Sequence, residues 1–222
     1  MNEIKLLPPQ IINEIAAGEV IDRPVSIVKE LVENSIDALA NRINIDIISG
    51  EESKIKVSDN GIGIEKRYIE TSVKRHATSK LKKNSLHEIS TLGFRGEALN
   101  AIANASDFKM ISKTKTMSEA YELNILFGEV IDFRPSKGNL GTSILVEELF
   151  KRLPVRKKFL KSEKVENLAI KTFIKKISLA YPDITFVLSE DLKEKLYLIG
   201  REGKNNLEAR VKEIYGESFF KS

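Results

Sequence analysis

The sequence has no cysteine and no tryptophan, and only two histidines, His76 and His87. Without cysteine there is no disulfide, no thiolate metal site and no cysteine nucleophile. No apolar run approaches the ~20 residues that a membrane helix needs. The N-terminus, Met1-Asn2-Glu3-Ile4-Lys5, lacks the apolar core of a signal peptide. These absences predict a soluble cytoplasmic protein with no membrane partner. Repeats and low-complexity tracts are absent too.

What is present is a globular composition. Over 222 residues, 41% are hydrophobic and 31% charged, enough for one large domain or two small ones. A chain of this size buries enough apolar surface to need no metal or disulfide staple. Basic residues number 36 against 32 acidic, a net of +4, too mild to imply nucleic acid by itself. The distribution says more. Lys151, Arg152, Arg156, Lys157, Lys158 and Lys161 fall in one run that holds no acid. It reads either as a solvated face or as a patch that contacts phosphates. Only Phe159 interleaves it, so base stacking has little support.

Periodicity predicts a short helix over 11–21, broken near Gly18, and a clearer one over 25–41. Ile43 to Ile48 and Lys54 to Ser58 alternate apolar and polar residues on either side of Gly50-Glu51-Glu52, as an antiparallel hairpin does. Residues 64–75 read as helix. Residues 76–96 read as a long loop with one short helix near Leu86–Ile89, and a loop of that length is functional or disordered. A helix from Glu97 to Ala105 is followed by strands near 107–113, 120–126, 129–134 and 141–147. Ser162 is a candidate N-cap for a long helix with Val165, Leu168, Ala169, Phe173, Ile177 and Ala180 on one face. Ile184–Leu188 and Lys195–Ile199 form another hairpin, and Asn206 would cap a last helix ending at Gly216. Helices mixed with hairpins predict an α/β sandwich on a largely antiparallel sheet, not a doubly wound parallel one.

Three segments carry chemistry. On the helix over 28–41, at ~100° per residue, Val28, Leu31, Val32, Ile36 and Leu39 share one face. Glu30, Asn34, Asp37 and Asn41 share the other, with Glu33 beside them. An ordinary surface helix explains this, but such a face usually interleaves lysine. A stripe of acids and amides suits Mg²⁺, which takes one or two protein oxygens and leaves the rest to phosphate and water. A carboxylate one turn away can deprotonate an attacking water. Asp59-Asn60-Gly61-Ile62-Gly63 is either a plain strand-to-helix turn or a base pocket, with Asp59 accepting from an exocyclic amine and the glycines leaving room for a flat ring. It is neither a Walker A loop nor a Rossmann fingerprint. Gly93-Phe94-Arg95-Gly96-Glu97-Ala98-Leu99 puts glycines at a helix start, where free N–H groups attract phosphate. His76-Ala77-Thr78-Ser79-Lys80 adds hydroxyls and a cation. His76 reads better as a structural hydrogen-bonder than as a catalyst.

In this order, the three segments resemble the superfamily of DNA gyrase B, heat-shock chaperones, sensor histidine kinases and MutL. The MutL family of DNA mismatch-repair proteins is the particular resemblance. It rests on Ile15-Ala16-Ala17-Gly18-Glu19-Val20, Glu30-Leu31-Val32-Glu33-Asn34-Ser35-Ile36-Asp37-Ala38, the Asp59 loop, Arg75-His76-Ala77-Thr78-Ser79-Lys80, the 93–99 segment and Pro154-Val155-Arg156-Lys157-Lys158-Phe159-Leu160. The resemblance implies a Bergerat-type two-layer sandwich, a mixed and mostly antiparallel sheet with helices on one face. It implies that Glu30 activates water, that Asn34 ligates Mg²⁺, and that Asp59 binds the adenine of ATP with Gly63 and Thr142 lining the pocket. Thr78, Ser79, Lys80, Gly93, Phe94, Arg95, Gly96, Glu97 and Ala98 would cradle the phosphates.

The resemblance also implies a nucleotide-gated switch between mismatch recognition and repair. Its partners would be a mismatch-recognition protein, strand-cutting and unwinding enzymes, and DNA held weakly with little sequence preference. ATP would drive pairing of two such domains. Residues 1–200 would form the ATPase domain and 201–222 a linker and the start of a second domain. In the family that second domain supplies a lysine to the γ-phosphate; with this sequence ending at Ser222, before such a domain is complete, slow hydrolysis is expected. Two rivals remain. A histidine-kinase-like phosphotransferase needs a phosphoacceptor histidine on a dimerising helix pair, where neither His76 nor His87 lies. A pure DNA-binding module would use the basic run and show no nucleotide affinity.

Overall fold

The computed structural model describes residues 5–6, 8, 20–50, 53–80, 92–93 and 96–220, without the side chains of Ser218 and Phe220. The predicted helix at 11–21 lies almost wholly outside them, as does the one near Leu86–Ile89. Helix α1 (Pro24–Asp37) opens on a proline, whose fixed φ and missing N–H suit a first turn. Then come β1 (Arg42–Ile48), β2 (Lys54–Asp59), α2 (Lys66–Ser72), α3 (Ala98–Ala105), β3 (Asp107–Lys113), β4 (Ala120–Leu126), β5 (Glu129–Ser136) and β6 (Gly141–Glu147). The chain continues through α4 (Pro154–Phe159), α5 (Glu163–Ala180), β7 (Thr185–Glu190), β8 (Lys193–Leu198) and α6 (Asn206–Tyr215).

The strands form one sheet in the order β5-β4-β3-β6-β2-β1-β7-β8. Every neighbouring pair is antiparallel except β1–β7. Burial alternates along β1 and β3, because successive side chains point to opposite faces. Ile43, Ile45, Ile47, Phe108 and Met110 therefore line one covered face. Ile27, Val28, Leu31 and Val32 of α1, Ile102 of α3, and Ile170 and Ile174 of α5 complete that core. This is the two-layer α/β sandwich with a mostly antiparallel sheet. Among the described residues no helix is long and apolar enough to cross a membrane.

Several expectations are corrected. On α5, Val165 is 43% and Leu168 63% exposed, while Glu166, Ile170, Ile174 and Ser178 are buried. The covered face is the one that carries Ile170 and Ile174, and Glu166 on it accepts from Arg23 Nε at 3.1 Å, tying α5 to the residue before α1. Leu39 is not on the α1 core face. It lies past the helix end at φ +59 and is 79% exposed. Its own amide and that of Ala40 turn back, Leu39 N to Ile36 O at 2.9 Å and Ala40 N to Ser35 O at 3.1 Å, closing a Schellman-type cap without glycine. Ser162 occupies the N-cap of α5 but makes no side-chain cap. Asn206 is the first residue of α6 rather than its cap. The middle of the basic run, for which no helix was predicted, forms α4, with Lys151, Arg152 and Lys161 outside it.

Arg210 on α6 is wholly buried. Its guanidinium donates to the carbonyls of Ser178, Pro182, Ile184 and Ile199 at 2.8–3.2 Å. Those carbonyls close the α5–β7 turn and the end of β8. These four bonds satisfy the two terminal nitrogens, while Nε makes no hydrogen bond and lies 3.3 Å from Glu213 Oε2 as an ion pair. A buried charge is tolerated when most of its donors are met in this way, and it pins α6 to the sheet. Burial lowers the Arg210 pKa, with Glu213 opposing.

Candidate functional site

Glu30, Asn34 and Asp37 lie along one side of α1, all half-buried. Glu30 and Asn34 are one turn apart, roughly 6 Å along the axis. The negative potential of this side is visible at Glu33. Its pKa is raised by burial first, with the charges of Glu30 and Asp37 adding and those of Lys29 and Lys80 opposing. The cation missing from the stripe in sequence arrives from elsewhere. Lys80 Nζ donates to Asn34 Oδ1 at 2.8 Å and to Asp37 Oδ2 at 2.5 Å. Asp37 also accepts from the backbone N–H of Leu92 at 3.2 Å and of Gly93 at 3.3 Å. A Cβ on Gly93 would stand 3.1 Å from Lys80 Nζ and 3.7 Å from Asn34 Oδ1. Helix, lysine and glycine thus meet at one point.

Residues 75–77 and 96–97 are pinned together beside it. Gly96 sits at φ +63 with a hypothetical Cβ 2.6 Å from Ala77 O, a contact only glycine allows. Glu97 Oε1 lies 3.3 Å from His76 Nδ1 and 3.7 Å from Arg75 Nε. Glu97 therefore ties Arg75 and His76 to the start of α3 rather than capping that helix, which has no side-chain cap. Thr78 Oγ1 accepts from Lys80 N at 3.1 Å, Ser79 is exposed, and Ala98 begins α3. Phe94 and Arg95 lie outside the described residues.

Asp59 ends β2. Its Oδ1 accepts from Gly61 N at 2.8 Å and Thr142 N at 3.2 Å, and its Oδ2 from the Ser35 hydroxyl at 3.0 Å. Burial raises its pKa, against the pull of those donors. Three donors leave about one of its four lone-pair sites free. The loop after it docks onto the end of α1. Ile62 N donates to Ala38 O at 2.9 Å. Asn60 Oδ1 accepts from Asn41 N at 3.1 Å and Arg42 N at 3.0 Å. A Cβ on Gly61 would lie 2.5 Å from Ala38 O, and one on Gly63, at φ +71, 2.2 Å from Lys113 O. These glycines are demanded by backbone packing. Thr142 pairs its hydroxyl with Ser112 at 2.9 Å, and Ser112 also accepts from Ile64 N at 2.8 Å. Gly141, at φ +108, lets β6 approach Asp59 O.

Sequence reasoning missed Ser35, Ser112, Gly141 and the anchoring role of Asn60. Only Asn60 carried a signal, its Asn-Gly turn. The two clusters share α1: Asn34 and Asp37 face Lys80, while Ser35 holds Asp59. Among the described residues no group of three acidic or histidine side chains could enclose a metal, so any cation here would take few protein ligands. A broad depression of about 700 Å³ beside α2, lined by Lys66, Arg67 and Phe133 among others, contains none of these residues.

The family described as Histidine kinase-, DNA gyrase B-, and HSP90-like ATPase matches residues 23–135. The chain is 42% identical over 221 residues to the DNA mismatch repair protein MutL of Rickettsia bellii (strain OSU 85-389), covering 99% of this chain and 36% of the relative. It is 47% identical over 201 residues to the MutL of Dictyoglomus turgidum (strain DSM 6724 / Z-1310), 90% of this chain and 35% of that one. The chain thus spans about a third of these relatives' length. A solved Aquifex aeolicus MutL ATPase domain complexed with ADP superposes with a TM-score of 0.74 at 33% identity, covering 88% of this chain and 70% of that one.

Proposed function

From the premise that this chain belongs to the MutL family of DNA mismatch-repair proteins and carries its ATPase domain, we propose that it binds Mg-ATP at the junction of α1, the Asp59 loop and the 76–97 segment and hydrolyses it slowly. The observation that carries this reading is the carboxylate of Asp59, fixed by three donors with one acceptor site to spare. An adenine amine is the ligand group that fits it, with Gly63 and Thr142 beside the ring.

Asn34 would hold the metal, and the site fits one. Its Oδ1, together with Asp37, already attracts a cation, the Lys80 ammonium. Mg²⁺ bound there would neutralise charge on the phosphates. Glu30, one turn away, accepts the proton of a water aimed at the γ-phosphate. Thr78, Ser79, Lys80, Gly93, Gly96, Glu97 and Ala98, with Phe94 and Arg95, make the phosphate cradle. Slow turnover fits a lysine that must leave α1 before it reaches phosphate.

Calorimetric titration with a non-hydrolysable ATP analogue, with and without Mg²⁺, tests the reading. One saturable site strengthened by Mg²⁺ is expected. No binding heat under either condition would overturn it.

We propose further that nucleotide binding gates pairing of two such domains and signals to mismatch-recognition, strand-cutting and unwinding proteins in the cytoplasm. Weak DNA contact is assigned to α4, which buries no residue and carries Arg156, Lys157 and Lys158. Charge reversal of Arg156 and Lys157 should weaken DNA binding and flatten its salt dependence by about two logarithmic units of slope. Filter binding across a salt series checks this, and unchanged binding would return the run to plain solvated surface.

A further inference from the structure

Asp37 is used by neither the base pocket nor the water-activating step, yet it has more partners than any other α1 carboxylate described above. Three donors converge on it: the Lys80 ammonium and the amides of Leu92 and Gly93. They come from the two ends of the 81–91 segment, one before it and two after. Lys80 also takes a lone pair of Asn34 Oδ1 at 2.8 Å. That oxygen is the ligand assigned above to the metal. An ammonium in hydrogen-bond contact and a divalent cation at its coordination distance of about 2.1 Å cannot share one amide oxygen with the same approach. They would also repel each other strongly at such separation.

The geometry points to Lys80 and the divalent cation as mutually exclusive occupants of the Asn34–Asp37 pair. Metal loading and release of Lys80 toward the phosphates are then one exchange, and Asp37 is the positioning residue that holds the Lys80 ammonium beside the amides of Leu92 and Gly93. The side-chain exposures agree. Lys80 is 19% and Asp37 10% exposed, so the pair is shielded enough for its attraction to matter more than a surface pair's. The inference rests on Asn34 being the metal ligand.

The test uses Mn²⁺ as probe, followed by electron paramagnetic resonance of the free ion, on the chain without nucleotide. Lys80→Met should bind Mn²⁺ at least tenfold more tightly than the parent. Lys74→Met, an exposed lysine outside the cluster, controls for the changed net charge and should leave the affinity near the parent's. Adding Asn34→Ala to Lys80→Met should erase the gain. Equal Mn²⁺ affinity in Lys80→Met and Lys74→Met would overturn the exchange, as would a gain that survives Asn34→Ala. A second arm separates the two levels of the argument. If Mn²⁺ binding with the ATP analogue is unaffected by Asn34→Ala alone, the ligand assignment itself fails. If it depends on Asn34 while Lys80→Met shows no gain, only the exchange fails.

Discussion

Replacing Glu30 with alanine should stop ATP hydrolysis while leaving affinity for the ATP analogue within a few-fold of the parent chain. Removing a general base lowers a rate by roughly 10²–10⁴-fold. Starting from a slow enzyme, that is loss of measurable turnover in a phosphate-release assay. Binding should survive because Glu30 makes no hydrogen bond or ion pair with the described residues, so its removal strands no partner in the fold. Glu33 is the competing candidate. Its carboxyl is pushed up by burial first, with the charge of Lys29 opposing and those of Glu30 and Asp37 adding less, the direction that suits a base near neutral pH. Its setting is different, however. It lies 3.9 Å from Lys29 and its side chain is 15% exposed. Glu33→Ala should therefore cost activity far less than Glu30→Ala. The reverse order would move the base from Glu30 to Glu33.

How much of this was legible in sequence depends on the range of the interaction. The strands and α1 could be read because their signals are local: period-2 alternation in Ile43–Ile48 and a run of apolar residues over a polar stripe in α1. The phase of α5 was misread because Ile170 and Ile174, wholly buried, set the covered face instead of Val165 and Leu168, and Glu166 shares that face through its pair with Arg23. Apolar periodicity carries no trace of that pairing. The same limit applies at the site. Glu30, Asn34 and Asp59 were proposed as functional residues from spacing. Nothing in spacing announced that Lys80 would cross to Asn34 and Asp37, or that Ser35, one residue from Asn34, would turn the other way to hold Asp59. The glycines of the Asp59 loop were read as room for a ligand. Their contacts with Ala38 O and Lys113 O show that backbone packing alone requires glycine at both positions.

Asp59→Asn should separate stability from function. Burial raises the Asp59 pKa in the folded chain, so its ionised form is held at a cost. The stability linked to a raised carboxyl is fully present below the unfolded value of about 3.9 and is lost as pH rises through the folded value. At neutral pH the parent therefore carries this cost and the neutral amide does not. Asparagine keeps an oxygen for Gly61 N and Thr142 N. The Ser35 hydroxyl can give its proton to Leu31 O, 2.9 Å away. Asp59→Asn should melt at or above the parent temperature near pH 7, with the difference closing below about pH 4. The same change turns an N–H₂ toward the place assigned to the adenine amine, setting donor against donor. A charge-assisted hydrogen bond is lost and a polar group is left facing its like, which should weaken ATP-analogue binding by about 100-fold or more. Preference for adenine over guanine nucleotides should fall with it, since guanine offers a carbonyl at that position. A variant that both melts higher and still binds ATP tightly would remove Asp59 from the base pocket. One that unfolds at neutral pH would mean its carboxylate stabilises the fold instead of straining it.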